Sequence, residues 1–506
     1  MKKLVYLLLL LQVGLFTACN DFLNVSSEQE LLQDKVFDSR DGVHMYVNGV
    51  YRMLSETSLY GRELTWGLAS VLGNNYDASS TSKLGTTYYY VSKFQWDNAN
   101  VKTKMSILWA KGYEVIANCN NIIQEISKKD TSFFEFGNTE KSMILGEMYG
   151  LRAMVHFDLL RLFAPAPVTN PTGLYMPYVT VYPEHQPEHK SVEIVLANVI
   201  EDMKKAEELL APVDTIFCAK WNSGTAGRIF QLNSYSSNPP NTFFSYRGMR
   251  MNYMAVTGLL ARVYMYKGDY KNAYAYAKFF TEKFVEDYKY YTWTSNSYQY
   301  HSSNPAYQFP KRFDELIICF SNSDSYDNWE AVTTGNANWF MMNETFLQKL
   351  FEGDEDDYRL KGMYGTHGRY NENKRWLVWE RPQSTSSIST TVTDQGPLLP
   401  ILRFSELYHI KIECLLKDRN EIDDARAELD VIRKKRGCKI AIDASTGKDG
   451  LLEILYKDVI RETLTEGQTF FLFKRLNMNI YNGVGEIVME PENWYAPLPD
   501  GETSYL

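Results

Sequence analysis

Apolar residues return every three or four positions over several long stretches of the chain, the spacing that places them on one face of an α-helix. From Asp41 to Leu54 that face is Val43, Tyr46, Val47, Val50 and Leu54. The period recurs from Leu108 to Ile123, and again over about 141–163, where Leu151, Met154, Val155, Leu159 and Leu162 form a stripe that Pro165 and Pro167 end. Two helices so closely connected are expected to pack antiparallel. Ser191 to Leu210 predicts a further helix, with Ser191 as its N-cap and Glu193 in its first turn. Asn252 to Lys267 predicts another, closed by Gly268, and Asp269 opens the next, which carries Ala273, Ala275 and Ala277. Helices over 403–417, 421–436 and 449–465 complete the set.

Between these helices the pattern changes. Residues 66–100 string Trp66, Tyr76, Tyr88, Tyr89, Tyr90 and Trp96 among Gly, Asn, Ser and Thr, and read as loop. Residues 213–247 are a polar, aromatic-dotted loop, and 284–345 are largely irregular apart from a strand-like run, Leu316 to Phe320. The acidic run Glu352 to Asp357 is expected to be a solvated turn. The fold class is therefore all-α, with long functional loops between the helices. The block Leu260 to Ala273 resembles a tetratricopeptide-type helix pair, although no clean repeat of about 34 residues recurs.

The chain begins with Lys2 and Lys3, an apolar stretch from Leu4 to Leu11, and then small residues, the order of a secretory signal. Cys19 after Thr17 and Ala18 resembles the lipobox of bacterial lipoproteins, with a departure at Phe16. That resemblance implies removal of residues 1–18 and lipid attachment at Cys19, whose several acyl chains hold a membrane firmly where one chain does not. No other segment approaches the roughly 18 apolar residues a spanning helix needs. The remaining cysteines, Cys119, Cys218, Cys319, Cys414 and Cys438, are odd in number and form no CxxC pair. Buried single thiols are expected, rather than a disulfide framework or a zinc site.

With 44% apolar and 23% charged residues the chain is of ordinary globular composition. A formal charge of −9 and a pI near 5.5 supply no basic footprint, so nucleic acid is not an expected partner. The sequence has no HExxH, Walker-type loop, GxSxG or GxGxxG, and so offers no catalytic residue and no cofactor motif. Carboxylate pairs for glycoside hydrolysis meet only in a fold and are not readable here. His185 and His189 are four apart, but Pro183 and Pro187 break the helix that would align them. The run 352–357 lacks the alternation of a calcium loop, and Asp324 and Asp327 carry no stronger signal, so no metal is expected.

Aromatic residues make up 14% of the chain, including 36 Tyr. A sugar offers an apolar C–H face to an aromatic plane and hydroxyls to Asn, Asp or Arg at its edge, so a saccharide site mixes these types. Two segments have that mixture. One supplies the candidates Trp66, Asn75, Asp77, Tyr88 and Tyr90; the other runs from Tyr290 to Trp339 and supplies Trp293, Tyr298 and Trp329. Trp96 and Trp109 read as structural, and Trp376 and Trp379, three apart, as packing.

Several blocks together resemble the SusD/RagB family of outer-membrane lipoproteins of the Bacteroidetes. They are Cys19 to Asn24; Asn48-Gly49-Val50-Tyr51; Trp109 through Asn118; Leu151-Arg152-Ala153 with Phe157-Asp158-Leu159 and Arg161-Leu162-Phe163; Leu260 to Tyr264; Arg403 to Leu407; Ile460-Arg461-Glu462 with Thr465-Glu466-Gly467-Gln468, then Phe471, Leu472, Lys474 and Arg475; and Tyr495 to Pro499 with Glu502. They run in family order, with departures at 463–465 and in a short tail. The resemblance implies a single SusD-like domain over 19–506, loop-rich over about 19–340 and helical with a closing segment over about 341–506. It implies tetratricopeptide-like pairs, and a glycan site drawn from loops in about the two segments above. It also implies a SusC-like TonB-dependent transporter as partner, over which a lipid-anchored, outward-facing protein acts as a lid without chemistry of its own. Two other readings stay open: the same lid with peptide cargo, and a lipid-anchored glycoside hydrolase on another helical fold.

Overall fold

The computed structural model describes residues 35–230, 238–300, 309–333, 339–363, 395–481, 485–500 and 502. Cys19, Trp376 and Trp379 lie outside the described residues. Helix accounts for 62% of the structure and the strands are few and short, an all-α fold. Contacts divide the chain into two units, Met1–Asn48 and Gly49–Leu506. Within the described part of the first, Phe37 and Tyr46 lie 5.4 Å apart and the Ser39 hydroxyl accepts from Gly42 N.

Helix α1, Arg40–Leu54, crosses that division, and Val50 and Leu54 at its end are fully buried. Where loop was expected after it, there are short helices: α2, Leu68–Leu72, a single turn at Thr81–Leu84, and α3, Thr86–Ser92. The long helices follow as α4, Ala99–Lys128, α5, Gly137–Phe163, and α6, Val192–Pro212. Strands β1, Leu174–Pro177, and β2, His189–Ser191, pair antiparallel between α5 and α6. Close helix approach depends on missing side chains: a Cβ on Gly112 of α4 would meet Leu159 at 3.0 Å, and one on Gly146 of α5 would meet Leu210 at 2.6 Å.

The stripe expected on α5 is only part of its buried surface, because the helix is enclosed on nearly all sides. Its polar residues are therefore paired. Arg152 forks onto Asp202 at 2.6 and 2.7 Å and donates to Asn120 at 2.8 Å; Glu147 accepts from Arg247, Arg250 and Tyr51; Asp158 accepts from Tyr60 and Arg161.

Helices α7, Tyr253–Lys267, and α8, Tyr270–Phe280, form the expected tetratricopeptide-like pair. Asn252 caps α7 by accepting from Ala255 N at 2.8 Å, Gly268 closes it in the left-handed region at φ +82°, and Asp269 caps α8 by accepting from Asn272 N. Ala273 and Ala277 are fully buried, as close helix contact requires. Strand β3, Leu316–Ser321, pairs antiparallel with β4, Leu398–Arg403. Helices α9, Phe404–Cys414, α10, Ile422–Lys435, α11, Lys448–Thr463, and α12, Thr469–Leu476, follow, the last expected from the resemblance and not from its period. A final pair, β5, Ile480–Tyr481, and β6, Glu486–Ile487, precedes the closing segment.

The acidic run is not a solvated turn. Asp354 accepts from Arg433 and Arg461 at 2.7 Å each, and Asp357 holds Arg359, so these two carboxylates are buried counter-ions while their neighbours reach water. Cys119, Cys218, Cys319, Cys414 and Cys438 are all free and buried.

Candidate glycan-binding site

The two aromatic segments meet. Tyr76 forms an antiparallel bridge with Met342, and Asp77 N donates to Met341 O at 2.8 Å. Around this seam the rings pack edge to face: Trp66 with Trp329 at 4.9 Å and with Phe340 at 5.5 Å, Tyr76 with Phe340 at 5.1 Å, and Tyr88 with Phe340 at 5.0 Å. That arrangement matches ring quadrupoles, and each ring buries about 150–250 Å². Phe340, at the hub, sits at φ +60°, a strained position for a bulky residue. Polar edges are met internally, since Trp66 Nε1 donates to Gly61 O at 3.1 Å and the Tyr76 hydroxyl to Trp66 O at 2.7 Å.

Trp66, Tyr88 and Trp329 therefore lie inside the fold, at 0%, 6% and 1% exposure, and present no ring face at the surface. Asn75 is also buried: its Oδ1 accepts from Thr465 N at 3.2 Å and from the Thr469 hydroxyl at 3.3 Å, tying the segment to the turn before α12. These four, expected to touch ligand, form the frame beneath the face. Burial wins because a large ring gains more from a dry pocket than from a wet edge.

Asp77 and Tyr90 are half-buried. Asp77 accepts from Ser79 N at 3.0 Å and faces Lys83 Nζ at 3.9 Å; Tyr90 packs edge to face on Tyr89 at 5.8 Å. Trp293 and Tyr298 have other surroundings. Trp293 lies against Phe404 at 4.7 Å with the Arg436 guanidinium over its ring, and Tyr298 is exposed, stacked on Phe309 at 4.2 Å.

Trp339, the end of the second segment, is the half-buried ring at the seam. It lies flat on Gly85, where a Cβ would come within 2.5 Å of the ring and where φ is +72°, so only glycine fits. The next residue, Phe340, donates its N–H to Lys83 O at 3.2 Å. The signal in the sequence was Gly85 between two short helical runs, legible only once its partner is known.

Tyr88 also bonds Glu63, which lines a cleft of about 400 Å³ between the turn after α1, α3 and the start of α4. The Tyr88 hydroxyl donates to Glu63 at 2.8 Å, and Lys104 Nζ donates to the same carboxylate at 2.8 Å while lying 4.5 Å over the Tyr88 ring. Burial and the adjacent Glu63 push the Tyr88 phenol well above its ordinary pKa, so it remains a donor. Sequence spacing hid this cleft because its residues come from three separate stretches. Among the described residues there is no cluster of three or more His, Cys, Asp or Glu able to hold a metal, and no helix long and apolar enough to cross a membrane.

Residues 21–219 match the sequence pattern of a SusD-like family described as "Starch-binding associating with outer membrane". SusD-like protein P25 of Formosa agariphila is 23% identical over 201 residues, 39% of this chain and 36% of that protein, so the match spans about a third of the relative's length. Among solved structures, a SusD superfamily protein from Bacteroides thetaiotaomicron superposes with a TM-score of 0.68 at 20% identity, covering 92% of this chain and 98% of that one. A SusD-like carbohydrate binding protein from Bacteroides vulgatus gives 0.66 at 17% identity, covering 92% and 96%. Residues 21–219 are thus similar in sequence to that SusD-like family, and the described residues share the fold of these solved structures.

Proposed function

We propose that the protein binds glycan at the outer membrane surface, anchored through lipid on Cys19, and delivers oligosaccharide unaltered to a SusC-like TonB-dependent transporter. The observation that carries the binding step is Trp339, a half-buried ring laid on Gly85 at the seam where Asp77 and Lys83 bond the neighbouring backbone. A half-buried ring, with the Asp77 and Lys83 side chains facing each other at 3.9 Å on the same seam, offers the mixture of aromatic and polar groups that a sugar's apolar face and hydroxyls require. The half-buried pair Tyr89 and Tyr90 belongs to the same segment, and half-buried Trp293 and exposed Tyr298 are further candidates, each in its own surroundings. The starch-binding description of the matching family and the carbohydrate-binding relative from Bacteroides vulgatus support this ligand class. Delivery needs affinity, a tether and a surface for the barrel, and no reacting group.

Titration of the full chain in detergent against a panel of neutral oligosaccharides, with product analysis of each mixture, tests this. Saturable binding with intact sugar is expected, weakened about tenfold by W339A, a loss of about 1.4 kcal/mol. Cleavage of any glycan would replace the proposal with an enzyme, and binding of peptides alone would replace it with a peptide-capturing lid.

A further inference from the structure

We propose that the cleft beside Tyr88 is a separate subsite for an anionic group on a saccharide, a uronate carboxylate or a sulfate ester; this rests on the glycan reading above and gives it a ligand class. The cleft lies in the range of small-ligand pockets by volume. Its walls carry the side chains of Thr57, Thr87, Thr103 and Asn100, groups suited to sugar hydroxyls, and the exposed Ile107 lies at its edge.

The charges decide what it takes. Glu63 is 3% exposed and fully engaged: Oε1 accepts from Arg62 Nε at 2.9 Å, Lys104 Nζ at 2.8 Å and the Tyr88 hydroxyl, and Oε2 from Leu68 N at 3.2 Å. Two cations share this one carboxylate, which leaves one positive charge in excess. Arg62 uses its Nε on Glu63, and its two Nη groups have no acceptor among the described residues; its side chain is 26% exposed, at the cleft wall. Of the nearby acids, Asp97 faces Lys102 at 3.7 Å, and Glu56 accepts from Ser58 and faces Lys111 at 3.8 Å, a cation it shares with Glu114 at 2.8 Å. The hydroxyls of a neutral sugar can accept from a guanidinium fork but leave its charge unneutralised. A carboxylate or sulfate neutralises it, and two parallel N–H donors match its paired oxygens while the charge strengthens both bonds.

The subsite is distinct from the Trp339 face. Tyr88 joins the two, with its ring on Phe340 and its hydroxyl on Glu63, so one ligand long enough to span both would be read by a ring at one end and by a cation at the other.

The test is calorimetric titration of the full chain in detergent with trigalacturonate, a sulfated galactotriose and the neutral panel, at low and high salt. At least one anionic probe is expected to bind, with affinity that falls as salt rises. R62Q is expected to weaken that probe at least tenfold and leave neutral binding within twofold. I107E, at the edge of the cleft and outside the Glu63 network, is expected to weaken it several-fold by repulsion. The arm that R62Q affects identifies the source of the anion as uronate or sulfate. Unchanged anionic affinity in both variants overturns the subsite, and so does neutral binding with no anionic binding, which leaves the glycan reading standing. Failure of every saccharide, neutral and anionic, removes both.

Discussion

His156 is held between two opposed hydrogen bonds, with Nδ1 at 2.9 Å from Arg152 O and Nε2 accepting from Val179 N at 3.0 Å. The imidazole must therefore be neutral, protonated at Nδ1, and it stacks on Tyr178 at 4.0 Å. Burial, helped by the Arg152 charge, pushes its pKa down to about 3. The unfolded chain takes up this proton near pH 6.5 and the folded chain only near the lower value, so the unfolded state binds more protons in between. Stability is fully present above the unfolded pKa and falls as pH drops through the window, by about 1.4 kcal/mol per unit. Gln keeps one donor and one acceptor without titrating, so H156Q should show a flatter loss of urea midpoint between about pH 6.5 and 4 than the parent. Equal slopes in the two proteins would mean that His156 is not the titrating group.

Helix α7 shows what capping contributes when a helix is buried. Asn252 has no exposed surface; its Oδ1 caps Ala255 N at 2.8 Å while its Nδ2 donates to Arg247 O at 2.7 Å. A lost cap costs about 1 kcal/mol, and orphaning a buried partner costs about 1–3 kcal/mol more. N252A should therefore lower stability by roughly 2–4 kcal/mol in urea, with far-UV helix content nearly unchanged because packing holds α7 in place. A loss below about 0.5 kcal/mol would show that the cap is redundant. Elements with such punctuation were legible in the sequence, as Ser191 before α6 and Gly268-Asp269 between α7 and α8 show. Short or uniformly apolar elements were not. Helices α2 and α3 span 5 and 7 residues, too few to display a period, and α12 spans only 8, opening on the apolar run Phe470 to Phe473.

Long-range joins decide both how the site was misread and where its support lies. The sequence marked the two aromatic segments, but the side of the surface on which each ring lies depends on partners more than 200 residues away, as Trp66 and Trp329 do. The buried ions were equally hidden, since Glu462 looked like part of a helix motif and Asp357 like part of a wet turn. In the fold Glu462 is the centre of a dry network: Arg436 bonds it at 2.7 and 3.0 Å, Arg359 at 3.0 Å and Arg312 at 3.3 Å, and the Ser405 hydroxyl at 3.0 Å. Those partners bring the turn before β3, the helix at 358–363, the end of α10 and the start of α9 onto α11. Burial alone would raise the Glu462 carboxyl, but Arg312, Arg436 and Arg359 outweigh it and hold it well below the usual range, while burial and then Arg436 press Arg312 down to about 9. The carboxylate's contribution is present at pH 7 and lost only as pH falls below the ordinary carboxylate range. Removing one partner of a buried ion cluster costs about 3–5 kcal/mol, because the remaining charges stay buried without compensation. E462Q, which keeps shape and loses charge, is expected to destabilise the protein by that amount at pH 7, measured by urea unfolding. The variant should also keep glycan affinity at the Trp339 seam, because none of these partners lines it. A loss under about 1 kcal/mol would mean that the arginines find other acceptors and that the network fixes geometry without adding stability.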